Sequence, residues 1–314
     1  MTCNDYLTAP IILLFSVLLD KWLGEPKKFH PLAGFGRFAA RCETLVRKPG
    51  HTVETDKLVR IKGILSVMLL LLPFVLTSAA LSAIPRWGML FQAVLLYFAI
   101  GATSLAQHAR AVANAMERND LDLARSSVAM IVSRDTGAMR EPDIARATVE
   151  SVLENGCDAV FAAFFWFLLL GAPGAVLYRL ANTLDAMWGY RTVRYLHFGW
   201  AAARFDDILN WVPARLTALT YTVLGNCPVA WRCWRSQGSL WYSPNAGPVM
   251  AAGAGALAIE LGGPATYHGA IKDRPILGEG REPCAADIER AISLVQRGLW
   301  LWVVLVGSGG MILA

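Results

Sequence analysis

Charge is scarce in this chain. Of its 314 residues only 17% are Asp, Glu, Lys or Arg, against about 25% in soluble domains. With 55% hydrophobic residues and a mean hydropathy of +0.42, an integral membrane protein is implied. Nucleotide-binding loops of the GxxxxGK[ST] or GxGxxG type are missing, and so are the HExxH and GxSxG patterns. The five histidines are dispersed, so a histidine metal site is not expected, and His30 before Pro31 reads as a loop hydrogen-bonder. The six cysteines contain no CxxC pair, which argues for reduced thiols rather than a disulfide framework or a zinc site. No Lys/Arg run tracks a nucleic-acid backbone; the net charge of +5 reads as positive loops beside a membrane. There is no internal repeat.

What is abundant is apolar sequence in runs of membrane length. The expected class is an all-α, polytopic helical membrane protein in a single membrane-embedded domain, residues 1–314, with about five embedded segments and cytoplasmic helical loops. Leu7–Leu23 reads as a retained first helix, because Asp5 and no Lys or Arg precedes it. Ile61–Ile84 and Trp87–Ala106 are of spanning length, joined by a tight turn at Pro85-Arg86. Basic residues flank this pair on both sides, Lys27 to Lys62 before and Arg110 to Arg146 after, so both flanks are expected in the cytoplasm. Cys157–Leu170 is short before Gly171-Ala172-Pro173-Gly174 breaks it, so it is expected to dip in and return. Ile208–Gly225 and Gly298–Ala314 are further apolar segments, and Glu25–Arg60 and Thr266–Arg297 read as long polar connections.

Polar chemistry concentrates between Ser133 and Arg215. Helices are expected over Leu105–Arg118 and Leu121–Val132, broken at Asn119-Asp120, with a third starting at Pro142. On that third helix Arg146, Glu150, Glu154 and Asp158 recur every four residues and share a face. An Arg146–Glu150 ion pair explains part of the stripe. Three acids in a column repel unless a cation joins them, so Glu150, Glu154 and Asp158, with Asp135, are the catalytic candidates. Asp185, Asp206 and Asp207 are candidate Mg²⁺ ligands, because hard cations take carboxylate oxygens. Arg134, Arg191, Arg204 and Arg215 could hold phosphate or carboxylate groups in planar forks. Asn155, Asn182, Tyr190, Asn210, Ser243 and Asn245 complete the substrate-binding candidates.

Seven segments then carry a resemblance: DKWLGEPKKFHPLAGFGR (Asp20–Arg37), SRDT (Ser133–Thr136), ESVLENGCD (Glu150–Asp158), NTLDAMWGYR (Asn182–Arg191), AARFDDILNWVPARL (Ala202–Leu216), SPNAG (Ser243–Gly247) and LGGP (Leu261–Pro264). In kind and order they resemble adenosylcobinamide-phosphate synthase, the CbiB/CobD-type membrane protein of cobalamin biosynthesis. The chain departs from that pattern at Ala159, Ala186 and Pro248, which touches fine substrate contacts more than the acidic and amide positions.

The resemblance implies amide formation between a propionate of adenosylcobyric acid and the amine of aminopropanol phosphate (or aminopropanol). ATP is the implied co-substrate and Mg²⁺ the activator, with no permanently bound cofactor. The implied setting is the inner membrane and its lipid, the active site facing the cytoplasm, beside other nucleotide-loop assembly enzymes and without nucleic acid. A base such as Glu150 or Glu154 would keep the attacking amine neutral. Two other classes fit less well. An intramembrane Mg²⁺-dependent prenyltransferase would need an NDxxD-like pair that NTLD and FDDILN only loosely imitate. A corrinoid scaffold or transporter should line a crossing path with polar residues, whereas here most lie in apparent loops.

Overall fold

The computed structural model describes residues 3–26, 30–47, 55–190, 192–267 and 269–314, residues 3–6 by their backbone alone. The site candidate Arg191, and Lys27, Lys28, Lys48, His51 and His268, lie outside the described residues. The protein is an all-α polytopic helical membrane protein. Among the described residues, four stretches are helical, long and apolar enough to cross a bilayer: Asp56–Ser82, Gly88–Glu117, Glu141–Trp188 and Ala285–Leu313. The chain packs as two compact units where the sequence shows no boundary. One comprises residues 1–101, 162–210 and 306–314, the other residues 102–161 and 211–305.

The first unit is built from α1 (Cys3–Leu23), α2 (Pro31–Val46), α3 (Asp56–Ser82), α4 (Gly88–Ala99), α8 (Ala162–Trp188) and the first half of α9 (Trp200–Leu224). Two of these starts are written locally. Pro31 opens α2 while the His30 ring accepts the Leu32 N–H at 3.2 Å, and Thr55 caps α3 by accepting the Leu58 N–H. The connection Glu25–Arg60 therefore holds a helix, with Phe35 and Ala39 on its buried face. Apolar side chains along α3 such as Leu65, Leu69, Leu72 and Leu76 stay exposed, the pattern of a helix facing lipid.

The Gly171 break reverses the chain. Gly171 sits at φ 68°, ψ −160°, a region essentially restricted to glycine. A Cβ on Gly174 would lie 2.3 Å from the Trp166 carbonyl oxygen, whereas residues eight apart along a straight helix are about 12 Å apart. The two arms of α8 thus fold back on each other. Leu168, Leu169 and Leu170 at the tip are exposed. The returning arm ends beside the polar loop 192–199. There Arg194 donates to Glu43 at 2.9 Å and His197 lies 3.3 Å from Asp56 at the start of α3.

The second unit comprises α5 (Ala102–Glu117), α6 (Leu121–Val128), α7 (Glu141–Gly156), a π-helical turn at Cys157–Phe161, the second half of α9, α10 (Cys227–Gln237), α11 (Ala246–Leu257), four short strands and most of α12 (Ala285–Leu313). Within the stretch Gly88–Glu117, which contains most of the expected run Trp87–Ala106, the helix is interrupted at Ile100-Gly101, where Ile100 is extended at ψ 150°. Gly101 is a poor helix residue, and α5 beyond it turns its alanines inward. Asp120 caps α6 and Pro142 opens α7 as the sequence predicts. The segment Thr266–Arg297 is not a plain loop, since it holds two strands and the first turns of α12.

Strands β1 (Glu260–Gly262) and β4 (Ile276–Gly278) pair antiparallel, as do β2 (Ala265–Tyr267) and β3 (Ala270–Lys272). Together they form one long hairpin whose register slips by a residue. Between Gly262↔Ile276 and Ala265↔Lys272, residues 263–264 face residues 273–275. Such a bulge bends a strand and re-aims a side chain. Here the re-aimed side chain is Arg274.

Candidate active site

Glu150 lies on the buried face of α7, 3% exposed. Its Oε2 accepts from Arg274 Nη1 at 2.8 Å and from Arg134 Nη2; its Oε1 accepts from the Gly262 N–H at 2.8 Å and from Arg274 Nη2 at 3.1 Å. One carboxylate therefore ties α7, the SRDT loop and the bulged hairpin together. Gly262, at φ 78°, lets the backbone come this close: a Cβ there would meet the Pro275 carbonyl oxygen at 1.9 Å. Burial alone would lower the Arg274 pKa, but the carboxylate of Glu150 outweighs it and raises the value. The guanidinium also lies 5.2 Å over the Trp241 ring.

Beside this knot opens a cavity of about 190 Å³. Glu154, one turn along α7, lines it with Arg134, Asn155, Tyr242, Tyr267 and Arg274. Tyr242 is stacked on Trp241, with Lys272 Nζ 4.2 Å over its ring. Burial, with the neighbouring Tyr267 and Glu154 adding to it, pushes its pKa up to about 12, so its hydroxyl stays protonated. Arg134 and Arg274 also line a larger cleft of about 520 Å³, whose wall includes Arg140, Arg146 and the Gly262-Gly263 backbone. Two connected chemistries are thus within reach of the same two guanidinium groups: anion binding in the cleft, and proton transfer at Glu154 in the smaller cavity.

The acidic column is redistributed. Arg146 pairs with Asp143 at 3.1 Å and Glu282 at 3.0 Å rather than with Glu150. Asp158 falls in the π-helical turn and is not among the residues lining the two cavities. Asp135 fastens the hairpin to the SRDT loop: its N–H donates to the Thr266 carbonyl at 2.9 Å and its Oδ2 accepts the Gly269 N–H at 2.7 Å. Asn155 donates back to Ser151. Ser243 Oγ accepts the Ala246 N–H at 3.1 Å and so caps α11, while Arg215 clamps the same loop through Asn245 Oδ1 at 2.7 Å and the Pro244 carbonyl at 3.0 Å. Ser243, Asn245 and Arg215 are thereby occupied in shaping the SPNAG loop.

The remaining candidates lie in the first unit. Asp206, buried on α9, accepts from Asn182 Nδ2 at 3.2 Å and Asn210 Nδ2 at 3.0 Å, and Asn210 Oδ1 accepts the Tyr178 hydroxyl at 2.9 Å. Asp207, adjacent in sequence, lies 3.6 Å from Arg204. Asp185 accepts the Gly189 N–H through its backbone, and Tyr190 is exposed. No three His, Cys, Asp or Glu side chains gather as a metal site among the described residues. Mg²⁺ held by one or two carboxylates plus substrate phosphates would not require one.

Burial raises the Asp206 pKa from 3.8 to about 6. A raised folded-state pKa favours the fold while the group is protonated, and that contribution disappears as pH climbs through the folded value. Stability should therefore fall by roughly 3 kcal/mol between about pH 4 and pH 7, a trend that Asp206→Asn should flatten in thermal unfolding of the purified chain.

Sequence reasoning passed over Arg274, Trp241, Tyr242, Tyr267 and Lys272. The available signal was Gly262-Gly263-Pro264 facing Arg274-Pro275, turn residues on both sides of a short strand pair.

The family model described as CobD/Cbib protein matches residues 13–295. The chain belongs to the CobD/CbiB family. It is 58% identical over 299 residues to the "Cobalamin biosynthesis protein CobD" of Chromobacterium violaceum, covering 95% of this chain and 96% of that one. The protein of the same name from Stutzerimonas stutzeri is 54% identical, covering 95% and 97%. That of Mycobacterium tuberculosis is 40% identical, covering 98% of both. No solved structure matches the chain. In this CobD/CbiB protein, SRDT, ESVLENG and LGGP converge on one carboxylate, Glu150, while NTLD and FDDILN meet around another, Asp206.

Proposed function

We propose that the chain is an adenosylcobinamide-phosphate synthase of the inner membrane, working on its cytoplasmic face. It would join adenosylcobyric acid to aminopropanol phosphate, or to aminopropanol, by an ATP-driven amide bond. The observation that carries this reading is the cavity beside Glu150, where Glu154 faces Arg134 and Arg274 and two of the segments that resemble the family, SRDT and ESVLENGCD, supply lining residues. Membership of a cobalamin-biosynthesis family supports it.

A carboxylate is a poor acyl donor because its leaving group is oxide. Transfer of the ATP γ-phosphoryl group to the propionate oxygen gives an acyl phosphate and ADP. The neutral amine then attacks the carbonyl carbon, phosphate leaves with its oxygen, and the surplus amine proton goes to a base. Glu150 is spent on two arginines, so Glu154 takes the base role and Glu150 a positioning one. The cleft of about 520 Å³ falls within the range that holds small ligands. A corrinoid is too large for it, so only the propionate arm enters, while the arginines hold phosphate. Mg²⁺ accompanies the nucleotide phosphates; Asp206, Asp207 and Asp185 are the carboxylates that could assist it, and an activity loss with a raised Mg²⁺ requirement in their Asn variants would mark them.

Purified protein given adenosylcobyric acid, aminopropanol phosphate and Mg·ATP should yield the condensed amide with stoichiometric ADP. Glu154→Gln should lower the rate by roughly 10²–10⁴-fold, the usual worth of a positioned base. No amide from active wild-type preparations would overturn the reaction, and an unimpaired Glu154→Gln would remove the base.

A further inference from the structure

The outward face of α12 changes character along its length. Glu289, Arg290, Ser293 and Arg297 are exposed in its first half; Trp300, Val304 and Leu305 are exposed beyond. The change falls between Arg297 and Trp300, one turn apart, and α12 is long and apolar enough to cross a bilayer. An indole marking the end of a lipid-facing stretch, with arginines just outside it, is the arrangement of a helix at the headgroup level.

At that level lies an open groove of about 390 Å³ between the end of α11 and α12. It is lined by Ala256, Leu257, Glu289, Arg290, Ser293 and Arg297. Its acids are already engaged. Glu289 accepts from Arg110 Nε at 2.6 Å and from Arg110 Nη2 at 3.3 Å. Asp287, fully buried beneath the groove, is shared between Arg281 at 2.7 Å and Arg290 at 2.6 Å. Arg290 is further fixed by donating to the Leu257 carbonyl at 2.7 Å. Arg297 has no carboxylate partner among the described residues. Four arginines therefore meet two carboxylates, and the surplus positive charge faces outward beside a hydroxyl.

We propose that this groove seats the phosphate of an anionic phospholipid, gripped by Arg297 and Arg290 with Ser293 as a further donor, its acyl chains running down the Trp300–Leu305 face. The apolar surface directly below the arginines selects a lipid over a soluble phosphate, because a free anion has no use for it. Basic pockets against membrane helices hold such headgroups by charge and by the adjoining acyl surface together. The inference requires nothing of the reaction proposed above.

The full chain, reconstituted in an equal mixture of phosphatidylcholine and phosphatidylglycerol and then extracted in mild detergent, should retain phosphatidylglycerol preferentially by native mass spectrometry. Arg297→Gln should weaken that retention about fivefold, the usual worth of one basic residue at an anionic surface, with an unchanged unfolding midpoint. Arg297→Lys should keep most of it, and excess inorganic phosphate should not displace the lipid. Equal retention of the two lipids by the wild type, equal retention by wild type and Arg297→Gln, or ready displacement by inorganic phosphate would each overturn the proposal. The last outcome would assign the groove to a soluble phosphate.

Discussion

Glu150→Ala is expected to lower the thermal midpoint of the detergent-purified protein sharply and to cut its accumulation in the membrane. The substitution leaves the Arg274 side chain, 1% exposed, without its counter-charge, and strips the Gly262 N–H of its acceptor. Breaking a buried pair from one side costs roughly 3–5 kcal/mol, comparable to a large part of a domain's net stability. Glu150→Gln, which keeps the shape and one acceptor oxygen, should fall between alanine and the wild type. Glu150→Ala with Arg274→Met should recover part of the loss, because the Arg274 guanidinium is removed while that of Arg134 stays without its counter-charge. The same measurements separate two roles for Glu150. An unchanged midpoint with amide formation abolished would return it to the position of catalytic base.

Valine at Gly171 is expected to prevent the reversal of α8. The backbone there, at φ 68° and ψ −160°, costs a non-glycine residue roughly 1–3 kcal/mol, and a branched side chain adds a clash in a turn that brings the two arms into contact. The reversal also has a topological consequence that can be read directly. Loop 192–199 is tied to Glu43 and Asp56, at the basic flank of α2 and α3. A cysteine introduced at Thr192 should then report the same side of the membrane as one at Lys57. With native thiols controlled, both should resist impermeant reagents on intact spheroplasts and react once the membrane is opened. Labelling of position 192 from outside, with position 57 protected, would mean that Ala162–Trp188 crosses the bilayer and that the re-entrant reading is wrong.

Much of the fold was legible because its causes are local. Long apolar runs specify membrane helices, Pro142 opens a helix, Asp120 caps one, and the Gly-Ala-Pro-Gly break announces an interruption. The division into two units was not legible, since no composition shift or linker accompanies it. The hairpin over residues 260–278 was not legible either. Its strands are three residues each, too short to show an alternating pattern above noise.

At the site, periodicity correctly put Glu150 and Glu154 on one face of α7, but periodicity has no information about what faces them. Helical spacing suggested Arg146 as the partner of Glu150; Arg134 from the loop before α7 and Arg274 from the distant hairpin hold it instead. Asp158 followed the four-residue rhythm in sequence but lies outside both cavities, in a π-helical turn that the rhythm did not announce. Composition and spacing by themselves determined that the chain is a polytopic helical membrane protein, and they singled out its acids, amides and arginines as candidates. Which carboxylate is neutralised and which is left facing the cavity was decided only by tertiary packing, since a buried charge takes its character from the charges that the fold brings against it.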